Sequence, residues 1–453
     1  MSDAGDLVRQ LMSTRGQVRA ILQVEAALAD AHAETGAMPP RVALVIGGEA
    51  RVEHLDLDAV DRAARDAGNL VIPVVEQLAA RVGAIDPEAA GWVHAAVTSQ
   101  DVLDTAMVTN LRAALQTTLG ELRRAIRAGA TLARRHAETV MAGRTLLQYA
   151  APTTFGLKAA GWSDAISRSA DRLDESLRAA LVLQLGGASG TQAALGARAP
   201  RLERALARRL DLAVPALPWH TQRDRLVDLA ATLATATGVL GKLGRDVALL
   251  AQTEVAELRE AGEVGRGRSS AMPHKRNPVG AVALTAAATR APGLAATMMS
   301  AMAQEHERAA GGWQAEWAVL PELVILATDA ASTAADLLEG LEVDAERMAA
   351  NLGLGLGILA AEGLAAALAS RVGRPTAHRL VGEASRDTAG RGVTFREVVE
   401  ARPDITRHFA AGDLERLLDP AWGVGRARAL VDRALDNLGF GDQDPSPSTE
   451  DAP

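Results

Sequence analysis

RDRLVDLAATLATATGVLGKLGRDVALLAQTEVAEL, residues 223–258, repeats its apolar residues at alternating spacings of three and four. The positions are 226, 229, 233, 236, 240, 243, 247 and 250; seven carry Leu or Val, and the eighth is Ala236. Such spacing lays one apolar stripe along one face of a helix, and no proline interrupts it. A helix over 223–258 is roughly 50 Å long. A sustained three-four repeat suits near-parallel packing in a bundle. A helix that long outruns a compact domain, which a bundle shared between subunits explains. A bundle inside one chain is the alternative.

Outward from this segment the helical period persists over about 106–136, 153–182, 279–307 and 321–340. Strand signals are scarce. RVALVIGG at 41–48 is the best of them and reads equally well as a helix end. The expectation is an all-α fold with a central long-helix bundle. The divisions expected are an N-terminal helical domain over 1–100, the bundle over 101–345 and a C-terminal helical domain over 346–440. The tail GDQDPSPSTEDAP (441–453) is polar and proline-rich, and is expected to be disordered. No internal repeat is visible.

Composition narrows the function classes. The 453 residues are 48% hydrophobic, 23% charged and 2% aromatic, with a net charge of −8, so no global positive field would attract nucleic acid. The absence of cysteine excludes disulfides, thiolate nucleophiles and Cys-ligated metals. MSDAGDLVRQLMS (1–13) is acidic early and has no apolar core, so it does not read as a secretory signal. No stretch approaches about 18 uninterrupted apolar residues, so no membrane span is expected. A cytoplasmic protein is the default. No HExxH pair, no metal-spaced carboxylate cluster and no Walker-type phosphate loop is present, so neither metal nor cofactor is expected.

The segment richest in chemistry is GRGRSSAMPHKRNPVGA, Gly265–Ala281. It brings Arg268, Lys275, Arg276 and His274 together with two serines, just before a helical run. Backbone N–H groups, hydroxyls and cations entering a helix N-terminus suit an anion, and the glycines permit closure over it. A solvated basic linker is the plain alternative, and composition does not choose between them.

SSAMPHKRNP resembles the signature loop of the fumarase/aspartase superfamily, G-S-S-x-x-M-P-x-K-x-N-P with variations. The resemblance implies a three-domain fold whose long helices form the core of a homotetramer, with each active site built from three subunits. It also implies a serine base that removes a proton beside a substrate carboxylate: Ser269 first, with Ser270 competing. Lys275 and Asn277 resemble the carboxylate-binding pair of that loop. Arg268 stands where the family usually has glycine, which alters loop closure or adds a cation.

VTSQDVLDTAMV (97–108) resembles the superfamily's first conserved region, where the Thr98 and Ser99 hydroxyls bind a carboxylate. Helix capping by the same residues is the other reading. His94 sits where related enzymes often carry an active-site histidine. GRTLLQYAAPTTFGLKAAGW (143–162) resembles the second region. There adenylosuccinate and argininosuccinate lyases have a proton-donating histidine, but this chain has Leu146, which moves no proton. Tyr149, the one tyrosine, stands three positions later, where cycloisomerases of the superfamily often have histidine. Phenols titrate near pH ~10 and are slow acids unless perturbed, and a structural tyrosine is as good a reading.

LGGASGTQAALG (185–196), PWHTQRDRLVDLAATLA (218–234), LGKLGRDVALLAQTEVAEL (240–258) and QEHERAAGGWQAEW (304–317) resemble the cycloisomerase branch. In these segments Gln222, Arg223 and Arg308 are candidates to reach substrate, with His220 behind them, although a histidine beside tryptophan is more often structural. Arg308 also reads as a helix partner of Gln304 or Glu305. The implied reaction is addition of a carboxylate across a C=C bond of a small di- or tricarboxylate, the reverse of a β-elimination. The alternatives are adenylosuccinate lyase or another substituted-succinate lyase of the superfamily, or an inactive helical scaffold.

Overall fold

The computed structural model describes residues 3–261 and 267–441. Residues 265 and 266 of the Gly265–Ala281 segment, and 442–453 of the tail expected to be disordered, lie outside the described residues.

The fold is all-α, and five long helices dominate it: Ser99–Arg135, Phe155–Ala180, Asp224–Leu250, Val279–Ala301 and Gly312–Glu339. Two small antiparallel sheets accompany them. β1 (Val140–Thr145) pairs with β2 (Gln148–Thr154), and β3 (Leu258–Glu260) pairs with β4 (Leu341–Val343). The 41–48 segment is helical, within Pro40–Glu49, where Pro40 sits in the first turn and needs no intrahelical donor.

The opening stripe forms a shorter helix than its sequence suggests. It spans 27 residues, Asp224–Leu250, or roughly 40 Å. The helix stops where the repeat stops: Ala256 takes φ +53, and the chain continues into β3. All eight stripe positions, Leu226 through Leu250, are buried within this one chain. The stripe therefore packs inside its own chain, as the second of its two readings has it. Helix Val279–Ala301 differs, with only 33% of its apolar window buried and Val282 and Met299 exposed. The 279–307 stretch ends at Ala301, and the 321–340 stretch begins earlier, at Gly312, with Pro321 accommodated inside the helix.

By length and composition alone, Asp224–Leu250, Val279–Ala301 and Gly312–Glu339 are apolar enough to cross a membrane. No uninterrupted apolar run announces this, because single Thr, Gly and charged residues break each stretch.

The chain divides into two compact units, and the divisions fall inside the five long helices. The first unit comprises 1–123, 168–241 and 285–333; the second comprises 124–167, 242–284 and 334–453. In the first, Val18, Ile21, Leu22, Ile46, Val74 and Leu78 form the centre of an apolar core that reaches Trp313. In the second, Leu364, Leu368, Phe395, Val399 and Ile405 anchor a separate cluster. Also in the second unit, Gly244 lets helix Asp224–Leu250 approach Val279–Ala301 closely. A Cβ at 244 would lie 2.6 Å from the Ala281 carbonyl oxygen and 2.7 Å from Leu284 Cβ.

Candidate active-site residues

In the first unit the Thr98-Ser99-Gln100-Asp101 segment opens helix Ser99–Arg135, and the Asp101 carboxylate organises its surroundings. Asp101 is buried. Its Oδ2 accepts the main-chain N–H of Thr98 (3.0 Å) and of Gly187 (2.8 Å). Its Oδ1 accepts the N–H of Gly186 (2.8 Å) and His220 Nε2 (2.8 Å). A carboxylate offers about four lone-pair sites, so this one is saturated. Gly186 is required by closeness: a Cβ there would meet His220 Cε1 at 2.7 Å. His220 is itself buried.

One turn along the same helix, Asp104 holds Arg223. Arg223 Nη1 and Nη2 donate to Asp104 at 2.7 and 3.1 Å, while its Nε and Nη2 donate to Glu316 at 3.0 and 2.6 Å. Trp313 Nε1 completes Asp104 (3.0 Å) and Gln304 Nε2 completes Glu316 (2.9 Å). The three charged side chains are fully enclosed. The expectation that Arg223 reaches substrate is corrected here, since its guanidinium is occupied on both edges and shut off from solvent. Burial opposes its charge, but Asp104 and Glu316 outweigh that and hold its pKa above the ordinary value. Burial pushes the Glu316 carboxyl up, against the pull of Arg223. Gln222, the next residue back, is exposed and pairs through its main chain with Ala303.

Arg308 is not on a helix, so the helix-partner reading fails. Its Nη1 donates to the Thr98 hydroxyl (3.2 Å) and its Nη2 to the Ala188 carbonyl (3.1 Å). The Thr98 hydroxyl thus meets a cation while its N–H serves Asp101. Ser99 is half-buried beside it. His94 lies four residues upstream with φ +59, and its ring Nδ1 is 2.6 Å from Glu25 Oε1. Ala96 and His306 also take positive φ. Such backbone costs about 1–3 kcal/mol per residue and persists where its surroundings enforce it, often at functional sites.

The second unit holds the remaining candidates. Leu146 and Leu147 form the two-residue turn between β1 and β2, both at positive φ, a geometry Asn-Gly usually supplies. They are 96% and 73% exposed. Tyr149, 43% exposed, pairs across the hairpin with Arg144, whose guanidinium lies 5.6 Å from the ring centre. Arg144 grips buried Glu257 through both Nη atoms, at 3.0 and 2.7 Å, and Asn351 Nδ2 adds a third donor (2.8 Å). Lys158, on helix Phe155–Ala180, has its pKa lowered by burial, which the nearby Asp246 charge only partly offsets.

In the loop, Ser269 is half-buried, and its Oγ accepts the N–H groups of Ala271 (3.3 Å) and Met272 (3.1 Å). Ser270, Lys275 and Arg268 are exposed, and Arg268 bridges to Arg276 through the main chain. Asn277 closes the loop on Gly267, with its main-chain N–H and its Nδ2 both donating to the Gly267 carbonyl (2.9 and 3.2 Å). The expected anion site at the following helix N-terminus needs correction. Glu260 already occupies it, accepting the N–H groups of Gly280 (3.0 Å) and Ala281 (2.8 Å). The loop's hydroxyls and cations remain available. The structure thus joins Thr98 with Arg308 in the first unit and Tyr149 with Arg144 in the second. Sequence reasoning missed Glu25, Asp104, Glu257 and Glu316, whose partners lie about 70 to 120 residues away.

A family model described as lyase matches residues 1–293, and one described as adenylosuccinate lyase C-terminus matches 357–434. The chain belongs to the lyase family. A 3-carboxy-cis,cis-muconate cycloisomerase of Pseudomonas aeruginosa is 49% identical over 94% of this chain and 93% of its own length. A nitrosuccinate lyase of Streptomyces davaonensis is 45% identical over 95% and 93%. The crystal structure of a 3-carboxy-cis,cis-muconate lactonizing enzyme from Pseudomonas putida superposes with a TM-score of 0.90 at 43% identity, covering 96% of this chain and 97% of that one.

Arg223→Gln should leave Asp104 and Glu316 facing each other without a cation, and should destabilise the fold by about 3–5 kcal/mol. Urea unfolding followed by circular dichroism measures this, and an unchanged midpoint would remove the framework role given to the triad.

Proposed function

We propose that this chain catalyses the reversible lactonisation of 3-carboxy-cis,cis-muconate to 4-carboxymuconolactone, a step in the breakdown of aromatic compounds. The observation that carries the reading is near-full-length identity of 49% with a cycloisomerase of that name. In the forward direction a substrate carboxylate oxygen attacks one carbon of a conjugated C=C bond. The electron pair shifts to the neighbouring carbon and delocalises into the carboxylate attached there. That carbon then receives a proton from Ser269, with Ser270 the competing carrier, and solvent restores the serine proton. Charge accumulates on carboxylate oxygens, which fixed cations and hydroxyls stabilise. Thr98, Ser99, Arg308, His94, Gln222, Lys275 and Asn277 are the groups proposed to hold them, with Tyr149 as a further hydrogen-bond donor. No metal or cofactor takes part.

Leu146 fits this chemistry. In the reverse reaction the leaving group is a carboxylate, with a pKa of about 4, which departs without protonation. An amine leaving group, as in adenylosuccinate, needs an acid. Nitrite is also weakly basic, so elimination from nitrosuccinate is the second reading, favoured by the 45% identical relative.

The protein works in the cytoplasm as a homotetramer on a small di- or tricarboxylate, without membrane or nucleic acid. A three-part division at about 100 and 345 is the proposed domain organisation, beside the two compact units of the fold. The poorly covered Val279–Ala301 helix supports a core shared between subunits.

A spectrophotometric assay comparing 3-carboxymuconate, 2-nitrosuccinate and adenylosuccinate tests the function. Turnover of the first is expected, and turnover of adenylosuccinate alone would refute the proposal. In the same assay Ser269→Ala should lower kcat by about 10²–10⁴-fold with little change in fold or substrate binding. A near wild-type rate would transfer the role to Ser270. Mixing the inactive Thr98→Ala and Ser269→Ala proteins should restore activity at about a quarter of sites by random assortment in a tetramer. No recovery after proven subunit exchange would contradict shared sites.

A further inference from the structure

Glu25 is 1% exposed on helix Thr14–Glu34, among buried Leu22, Val24, Leu28 and Ala29. An enclosed carboxylate is costly unless its oxygens are well paired. Asp101, Asp104 and Glu316 each draw donors from two or more residues, whereas among the described residues both Glu25 hydrogen bonds come from His94. The His94 main-chain N–H donates to Oε2 (3.1 Å), and ring Nδ1 approaches Oε1 (2.6 Å).

The same helix grips the segment a second time. His32, two turns beyond Glu25 and on the same face, approaches the Ala95 carbonyl oxygen through Nε2 (3.2 Å). Between these two grips His94 and Ala96 stand at φ +59 and +62, although neither is glycine. One helix therefore spends two polar side chains on a strained three-residue stretch. The result is an oriented ring. An ionised carboxylate only accepts, so Nδ1 carries hydrogen. Nε2 is left without a hydrogen-bond partner among the described residues, on a side chain 20% exposed. Four residues on, the Thr98 hydroxyl meets Arg308.

We infer that Glu25 is a positioning residue. It holds His94 with Nδ1–H turned into the protein and offers Nε2 to a carboxylate of the bound substrate. When the anion docks, the ring takes a second proton from solvent, Nε2–H donates to the anion, and Glu25 balances the charge. The inference rests on the proposed function for its substrate but not for its geometry. A metal-binding histidine would be oriented in the same way, but its carboxylate-backed ring would need further ligands, and no group of three potential ligands occurs among the described residues.

The test pairs kinetics with nitrogen-15 spectra of histidine-labelled protein, in which His94→Gln assigns the signal. Wild type should show hydrogen on Nδ1, and both ring nitrogens should be protonated after addition of 4-carboxymuconolactone. In Glu25→Gln the amide oxygen must serve the His94 N–H, so its NH₂ donates to Nδ1 and the ring, with hydrogen on Nε2 alone, meets the anion uncharged. KM on 3-carboxymuconate should rise about tenfold, the difference between a charged and a neutral hydrogen bond, with kcat nearly unchanged. His94→Gln should match it, and the double variant should be no worse than either single one. Additive losses, an unchanged KM, or a free enzyme with Nδ1 unprotonated would each overturn the inference. If Glu25→Gln fails to fold, the wild-type spectra and the His94→Gln kinetics still decide it. A wild type that does not turn over 3-carboxymuconate would refute the proposed function instead, leaving the spectra to judge Glu25.

Discussion

The Asp101 carboxylate is the constraint on which the first unit's polar centre depends. Its oxygens gather hydrogens from the start of one long helix at Thr98, from the Gly186-Gly187 turn and from His220. Three stretches distant in sequence are thereby fixed to one buried group. An N–H left without an acceptor in such a place costs about 1–3 kcal/mol, so each donor has reason to stay. Gly186 then follows from geometry, because the turn must come within contact of the imidazole.

Asp104, three residues on and on the same helix face, extends the framework to Arg223, Glu316, Trp313 and Gln304. Two carboxylates share one guanidinium, and the raised pKa of Glu316 reflects the strain of burying the second. Around this rigid, closed set stand the residues that keep polar atoms near solvent: Thr98, Arg308 and His94. The division is physical. Residues saturated by protein partners hold shape, and the others keep polar atoms accessible. The second unit repeats the pattern on a smaller scale, where Glu257 is closed by Arg144 and Asn351 while Tyr149, Ser269 and Lys275 stay accessible.

Much of this was legible in the sequence, because it depends on local order. The three-four stripe marked the buried face of Asp224–Leu250, and the loop wording from Ser269 to Pro278 pointed to the family. What the stripe faces was not legible, because period reports only that a face is apolar. Its residues turned inward, and the under-covered helix proved to be Val279–Ala301. Arg223 was misread for a related reason. An arginine beside candidate substrate residues looks available until Asp104 and Glu316, 119 and 93 residues away, are seen to enclose it. Glu260 likewise fills the helix N-terminus that the loop seemed to offer to an anion. Charge partners at long range leave no periodic trace.

The central claim is that one carboxylate ties these stretches together, and amide hydrogen exchange on Asp101→Asn tests it most directly. An asparagine has one acceptor oxygen and presents an NH₂ to donors that need an acceptor. The account predicts that exchange at Thr98, Gly186 and Gly187 accelerates together, by about tenfold or more, while the Leu364–Ile405 cluster is unaffected. Acceleration confined to Thr98, or no change at the two glycines, would contradict it.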